Sequence, residues 1–182
     1  MDDSAREPFC RLAAIVFEPN EDPDAPLGDF VADASARGFR IAGLLQQRDR
    51  PGDCECHEIS LRNLTTGERL PIMQDLGPGA TSCRLDPAAI AIAAVELRNA
   101  LARRPDLLVA NRFAKLEAEG GGLIAEIGEA LAEGMPLIVS VPARFLDAWN
   151  AFAGGLDAQL PPRREAISAW WDRVAPQRAS AA

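Results

Sequence analysis

One segment of the chain places charged side chains directly after a buried strand. Residues 106–111 form an apolar run that predicts the strand, and a glycine run at 120–122 precedes a predicted helix. The polar and charged side chains of this segment that could do chemistry are Asn111, Arg112, Lys115, Glu117 and Glu119. Cations, carboxylates and glycines at a strand-to-helix junction are suited to contacting an anionic ligand, so we predict a ligand-binding loop here. The alternative is a charged surface loop with internal ion pairs.

Lys115 is the one lysine among the 19 Lys and Arg residues of the chain. A lysine that persists in an arginine-rich composition indicates a position that needs a slim, rotatable ammonium. Lys115 is therefore predicted to contact the ligand. The alternative is a surface lysine that remains by chance.

A second candidate loop, residues 75–86, combines glycines, hydroxyls and an arginine before a predicted helix. Backbone N–H groups, hydroxyl donors and a helix dipole are the components of an oxyanion site, with Arg84 as counter-charge. The residues proposed for this site are Asp75, Gly77, Gly79, Thr81, Ser82 and Arg84. The alternative is a flexible connection that only caps its helix.

The loop after the first strand, residues 18–24, is acidic and contains neither glycine nor lysine. A phosphate loop needs glycines so that its backbone can curl around phosphate, and four carboxylates would repel a triphosphate. Standard phosphate-loop chemistry is therefore not expected. Glu18 or Asp22 could hold a cation, although a solvated acidic loop explains the same residues.

Cysteines supply a candidate metal site. Cys54, Cys56 and a distant Cys83 could provide three sulfur ligands, and Cys54 and Cys56 share one face if the segment is extended. The alternative is a set of ordinary thiols at the start of a hairpin. His57 is the one histidine, so the chain has no histidine cluster, and the sequence indicates no Ser-His-Asp arrangement around it.

The elements that position these residues alternate between strands and helices. Apolar runs predict buried strands. Asp24 shortly before Pro26, and Asp86 followed by Pro87, predict two capped helix starts. Strands are predicted at 12–17, 39–46, 106–111 and 136–141, a hairpin at 57–64 and 69–74, and helices at 24–37, 87–103, 121–133 and 143–153. A last helix at 162–174 carries Trp170 and Trp171, which are expected to pack on the body or a partner subunit.

This order of elements predicts a three-layer α/β fold with a mostly parallel sheet and an inserted β-hairpin. We expect one domain over residues 1–182, with its core at about 11–155. Ligands bind such sheets beyond the carboxyl ends of the strands.

Composition excludes several classes of partner. The net charge of −8 argues against nucleic acids and anionic membranes as partners. No apolar run approaches the roughly 20 residues that a membrane-spanning helix needs. The acidic start lacks a signal-peptide core, so a cytoplasmic protein with reduced cysteines is expected.

The segment from Leu107 to Glu117 resembles small nucleoside-triphosphatases related to phosphate-loop kinases, in which this strand ends in an acidic pair and continues as Gly-Lys-Met-Glu. The chain is more similar to an uncharacterised bacterial family, domain-of-unknown-function family 2478, over roughly residues 12–170. Segments that carry this resemblance are 17–19, 54–56, 74–79 (beginning Gln74-Asp75), 83–86 and 111–120. The resemblance implies a phosphate-loop-like fold with a degenerate Walker A motif. Family members are often encoded beside molybdate uptake genes.

Three functions are compatible with these features. The first is a non-hydrolytic accessory protein that binds a small oxyanion, molybdate or tungstate, or a nucleotide-like cofactor, with Gln74 and Glu18 added to the ligand contacts. The second is a nucleoside-triphosphatase in which Lys115 replaces the missing loop lysine. The third is a structural partner of a transporter or metalloenzyme assembly, and a homo-oligomer is compatible with each.

Overall fold

The computed structural model describes residues 10–48, 59–74 and 84–176. Seven strands in these ranges form one sheet in the order β4-β3-β2-β5-β6-β1-β7. The strands are β1 (Leu12–Phe17), β2 (Ile41–Arg48), β3 (Ile59–Asn63), β4 (Arg69–Pro71), β5 (Leu107–Ala110), β6 (Leu137–Pro142) and β7 (Asp157–Leu160). The helices are α1 (Asp24–Ala36), α2 (Pro87–Ala102), α3 (Lys115–Ala118), α4 (Ile124–Ala132), α5 (Leu146–Ala153) and α6 (Arg164–Val174), with a 3-10 turn at Ala143–Phe145.

Five neighbouring strands, in the order β2-β5-β6-β1-β7, run parallel. Beyond β2, the strands β3 and β4 extend the sheet as an antiparallel hairpin. Its two faces are covered by separate apolar cores. One contains residues of α2, α4 and α5, and the other contains residues of α1 and α6. The predicted three-layer α/β fold with an inserted hairpin is therefore confirmed.

Continuous apolar runs located the central strands well because those strands are buried on both faces. Every residue of β5 and β6 is buried, and β1 has the predicted bounds. The second strand begins at Ile41, two residues later than predicted. It continues through the polar Gln47 to Arg48 because Arg48 still pairs with Ile59 in the hairpin.

Gly43 permits the close approach of β2 and β5. Its φ is +114°, and a Cβ atom there would lie 2.1 Å from the carbonyl oxygen of Val109. No other residue type fits at that spacing and backbone conformation. The parallel pairing of β2 with β5 therefore depends on this glycine.

Helix starts differ from the sequence-based expectation in one important place. Asp86 accepts a hydrogen bond from the backbone N–H of Ala88 at 2.9 Å, so it caps α2 as predicted. Asp24, however, is the first helical residue of α1 rather than its cap. The carboxylate of Asp22 accepts hydrogen bonds from the N–H groups of Asp24 and Ala25 at this helix start. The side chain of Asp24 therefore remains available for longer-range contacts.

The C-terminal region contains one strand that the apolar pattern did not predict, β7, and the predicted last helix, α6. β7 pairs in parallel with β1 and is polar and partly exposed, as is common for a short edge strand. α6 places Trp170 and Trp171 in the core that it shares with α1, with exposed fractions of 6% and 0%. Both indole rings therefore pack on the body of the protein, which was one of the two predicted locations.

Candidate functional site at the carboxyl edge of the sheet

The strands β5, β6 and β1 are neighbours in the sheet and run parallel, so their carboxyl ends meet at one edge. Three connections leave this edge: the β1 loop (residues 18–23), the β5 loop (residues 111–123) and the turn after β6 that contains Arg144. This is the edge at which α/β sheets bind ligands. Most predicted site residues that fall within the described ranges lie here.

The β1 loop folds onto its own carboxylates. The side chain of Glu21 accepts a hydrogen bond from the backbone N–H of Glu18 at 2.8 Å. Asp22 Oδ1 accepts from the N–H groups of Asp24 at 2.9 Å and Ala25 at 3.4 Å. Backbone donors at a helix N-terminus can bind an external anion when no capping side chain occupies them. In this protein those donors are already paired with carboxylates of the same loop.

Asp24 is the centre of a polar network that crosses the edge. Its Oδ1 accepts from Asn111 Nδ2 at 2.7 Å, and its Oδ2 accepts from Arg112 Nη2 at 3.0 Å and Gln46 Nε2 at 3.2 Å. The side chains of Asp24 and Arg112 are 11% and 18% exposed, so this ion pair is largely shielded from water. The network joins the start of α1 to the ends of β2 and β5.

Asn111 is fully buried and uses both atoms of its amide. Its Nδ2 donates to Asp24, and its Oδ1 accepts from the hydroxyl of Ser140 on β6. Arg112 also stacks over Phe17, with its guanidinium carbon 5.0 Å from the ring centroid. Asn111 therefore supports the edge from inside, whereas Arg112 is held in a fixed orientation beside a cavity.

Glu117 has a structural role in this conformation. It is 8% exposed, and its two carboxylate oxygens accept from the N–H groups of Ala114 at 2.9 Å and Leu123 at 3.0 Å. Because both oxygens are engaged, Glu117 holds the two ends of the β5 loop together. The predicted contact between its carboxylate and a ligand would have to displace these bonds.

Lys115 lies at the surface of the short helix α3. Its side chain is 75% exposed, and its Nζ is 3.9 Å from Glu119 Oε1, a distance typical of a weak surface ion pair. In the β5 loop, therefore, the unique lysine is exposed at the surface, whereas the carboxylate of Glu117 is buried.

The ends of the predicted Gly-rich loop meet beside the hairpin. The N–H of Gln74 donates to the carbonyl oxygen of Arg84 at 2.8 Å, and Met73 pairs with Leu85. The side chain of Arg84 is exposed. The predicted site residues Asp75, Gly77, Gly79, Thr81 and Ser82, and the cysteines Cys54, Cys56 and Cys83, lie outside the described residues.

A cavity of about 490 Å³ opens at this edge. We call it the arginine cavity, because Arg48, Arg112 and Arg144 line it together with Phe17, the β1 loop, Pro142 and Ala143. Within the described ranges, Arg48 and Arg144 have no ion-pair partner. Across residues 10–48, 59–74 and 84–176, no group of three or more His, Cys, Asp or Glu side chains could hold a metal ion.

Sequence reasoning missed Asp24, Gln46, Arg48 and Arg144 as members of this site. Arg144 had a usable signal, because it follows a buried parallel strand and the carboxyl-end rule applies to it directly. Asp24 looked like a simple helix cap. Its partners lie on β2 and the β5 loop, and nothing local in the sequence indicates that pairing.

None of the helices in residues 10–48, 59–74 and 84–176 has the length and apolar character that crossing a bilayer requires.

Two solved structures share the fold. A human cancer-related nucleoside triphosphatase matches with a TM-score of 0.67 and 16% identity, covering 93% of this chain and 100% of that chain. THEP1 from the hyperthermophile Aquifex aeolicus matches with a TM-score of 0.63 and 11% identity, covering 90% of this chain and 96% of that chain. At these identities the likeness shows the fold alone.

Sequence comparison gives a nearer relative and a family. The Molybdenum import ATP-binding protein ModC 2 of Bradyrhizobium diazoefficiens is 40% identical over 162 residues, which are 88% of this chain. The chain spans only 18% of that relative's length. The family model described as "Protein of unknown function (DUF2478)" matches residues 12–170. The chain therefore belongs to the DUF2478 family.

Proposed function

We propose that this protein binds a small oxyanion in the arginine cavity and does not hydrolyse nucleoside triphosphates. The observation that carries the proposal is the convergence of Arg48, Arg112 and Arg144 on one cavity, in a chain with a net charge of −8. Guanidinium groups bind tetrahedral oxyanions through paired N–H donors. Molybdate and tungstate are the proposed ligands, and a nucleotide-like cofactor is the alternative.

The charge distribution in the cavity favours a small anion. Arg112 is neutralised by Asp24, so it contributes oriented N–H donors, whereas Arg48 and Arg144 contribute positive charge. Glu18, Glu21 and Asp22 line the same cavity. These carboxylates repel a tetra-anionic triphosphate more strongly than a dianion, because electrostatic repulsion grows with the charge of the ligand.

The residues after β1 and at the end of β5 support the proposed absence of hydrolysis. A phosphate loop occupies the eight residues after the strand and ends in Lys-Ser/Thr. Counted from Glu18, those last two positions hold Asp24 and Ala25, and Asn111 stands where the resembling enzymes carry a magnesium-directing acid. A carboxylate in place of the lysine, together with N–H donors paired to Asp22, supports the proposed degeneration of the Walker A motif.

A molybdenum-related role is supported by the name of the 40% identical relative, a molybdenum import ATP-binding protein. We propose that the chain acts in the cytoplasm as an accessory to molybdenum uptake or to a metalloenzyme assembly. Homo-oligomers are compatible with this role.

Isothermal titration calorimetry with molybdate, tungstate, phosphate and ATP tests the proposal. We expect binding of at least one oxyanion, and Arg144→Gln should raise its Kd about tenfold because one charge-assisted contact is lost. Arg173→Gln, an exposed substitution on α6 away from the cavity, is the matched control and should leave the Kd unchanged. No binding by any of the four anions would overturn the proposal.

The rival function is hydrolysis of a nucleoside triphosphate with Lys115 in place of the loop lysine. The observation that favours it is the exposure of Lys115, which is held only by a long ion pair with Glu119. Phosphate release from ATP and GTP separates the two functions. Release that depends on Lys115, and is lost in Lys115→Ala, would replace oxyanion binding as the proposed function.

A further inference from the structure

A second, smaller cavity adjoins the arginine cavity. Its volume is about 160 Å³, and it shares Arg112 and Arg144 with the larger one. Most of the remaining wall is apolar and comes from the hairpin, the start of α2 and the β5 loop: Leu61, Ile72, Leu85, Ile90, Ala114, Leu116 and Leu123. We call it the apolar cavity. The two arginines therefore stand at the junction between a charged space and an apolar one.

Besides the two arginines, four polar side chains line the apolar cavity, and three of them are already engaged with the protein. The fourth, Lys115, is 75% exposed and makes only a long ion pair with Glu119. Asn111 uses both amide atoms within the edge network, and Glu117 uses both carboxylate oxygens on backbone N–H groups. Gln46 donates to Asp24. A ligand group that enters this space consequently meets apolar surface and receives few new hydrogen bonds.

Size restricts what the apolar cavity can accept. An apolar cavity of about 150 Å³ is large enough to take up benzene. The volume of about 160 Å³ found here therefore matches the size of one six-membered ring. A bare tetrahedral oxyanion would gain little from the apolar part of this wall, because burying a charged group against apolar side chains is unfavourable.

We infer that the ligand class extends beyond bare oxyanions to organic oxyanion esters that carry one planar ring. The oxyanion lies against Arg112 and Arg144 in the arginine cavity, and the ring enters the apolar cavity beside Ala114. This inference rests on the proposed function, since it uses the same arginines as the oxyanion site. It adds a subsite that selects the carbon skeleton of the ligand.

Phenyl phosphate and methyl phosphate, titrated calorimetrically against the full chain, test the subsite. They carry the same phosphate monoester and differ in the ring. Phenyl phosphate should bind at least about tenfold more tightly, because its ring leaves water for an apolar wall. Arg144→Gln should weaken both esters and also inorganic phosphate.

A substitution that fills the apolar cavity distinguishes its role from that of the arginines. Ala114→Leu should reduce the affinity ratio of phenyl to methyl phosphate toward one, whereas Ala125→Leu, at an exposed position of α4, should preserve the ratio. Circular dichroism verifies that each variant folds. Leu116→Ser, which makes the same wall polar, replaces Ala114→Leu if that variant does not fold.

The outcomes separate the inference from the function on which it rests. Equal binding of the two esters, or tight phenyl phosphate binding that neither Ala114→Leu nor Leu116→Ser changes, would overturn the ring subsite and leave oxyanion binding intact. Failure of inorganic phosphate, molybdate and both esters to bind would overturn the proposed function itself.

Discussion

The β1 loop and the β5 loop leave the same edge of the same sheet, yet they are stabilised in opposite ways. In the β1 loop, exposed carboxylates bond to backbone groups at most three residues away. In the β5 loop, buried side chains bond across the fold, as Asn111 does to Asp24 over 87 residues of sequence. The β1 loop is thus a local structure, whereas the β5 loop holds separate elements together. Substitutions should destabilise the protein far more in the second loop than in the first.

Glu117→Ala should have the largest effect on stability. It leaves the N–H groups of Ala114 and Leu123 without their carboxylate partner in a buried site, which we expect to lower the free energy of unfolding by about 3 kcal/mol. Urea unfolding monitored by circular dichroism measures the change. Glu119→Ala, two residues away and exposed, is the control and should stay within about 0.5 kcal/mol. Equal effects at the two positions would contradict the structural role assigned to the buried carboxylate of Glu117.

Gly122→Ala should be next in magnitude. Gly122 has a φ of +59°, and an added Cβ would lie 2.0 Å from Glu117 Oε1, so the methyl group displaces the carboxylate that holds the loop. We expect a loss of about 2 kcal/mol or more from backbone strain and broken hydrogen bonds. Gly120→Ala also has a positive φ, but its Cβ meets no atom within 4 Å, and a loss of about 1 kcal/mol is expected there. A Gly122 variant as stable as the Gly120 variant would show that the position of the carboxylate is not critical.

Asp22→Ala should lower stability by about 1 kcal/mol, because α1 loses its capping carboxylate. The same change frees the N–H groups of Asp24 and Ala25 and removes a negative charge from the arginine cavity. Calorimetry should therefore show phosphate binding about threefold more tightly than in the wild type. Weaker phosphate binding would indicate that Asp22 helps the ligand, which is the reverse of the role proposed for it.

Lys115→Gln should have the smallest effect of the four. Its side chain is 75% exposed and its ion pair is long, so stability should change by less than about 0.5 kcal/mol. The Kd for molybdate should change less than twofold, because Arg144 rather than Lys115 lines the arginine cavity. A tenfold loss of molybdate affinity would restore the lysine to the binding site predicted from its uniqueness in the sequence.

The fold could be predicted from the sequence where structure depends on local patterns. The apolar runs that form β1, β5 and β6 are buried on both faces, and Asp86 with Pro87 marks a helix start that depends on adjacent residues alone. The same reasoning missed β7, whose sequence Asp-Ala-Gln-Leu has no apolar pattern. That segment is a strand because β1 offers it a free edge, which is a tertiary cause.

The sequence predicts where the candidate site lies but not what each of its residues does. The carboxyl-end rule placed the β5 loop correctly, since it depends only on the order of parallel strands. It could not show that Asp24 pairs with Arg112, because the two residues are brought together only when α1 packs on the sheet against β2, the neighbour of β5. Nor could the uniqueness of Lys115 in the sequence show that Lys115 is exposed and that Glu117 is the buried carboxylate of this loop.

Two-dimensional NMR of labelled protein during a molybdate titration tests the central claim most directly, because it reports which groups at the edge meet the anion. We predict that the side-chain Nε–H signals of Arg112 and Arg144 shift, and that the backbone amides of Asp24 and Ala25, already paired with Asp22, change little. The largest shifts at Asp24 and Ala25 would show that the protein binds anions as a phosphate loop does. That result, or no shift at either arginine with saturating molybdate, would contradict the proposed site.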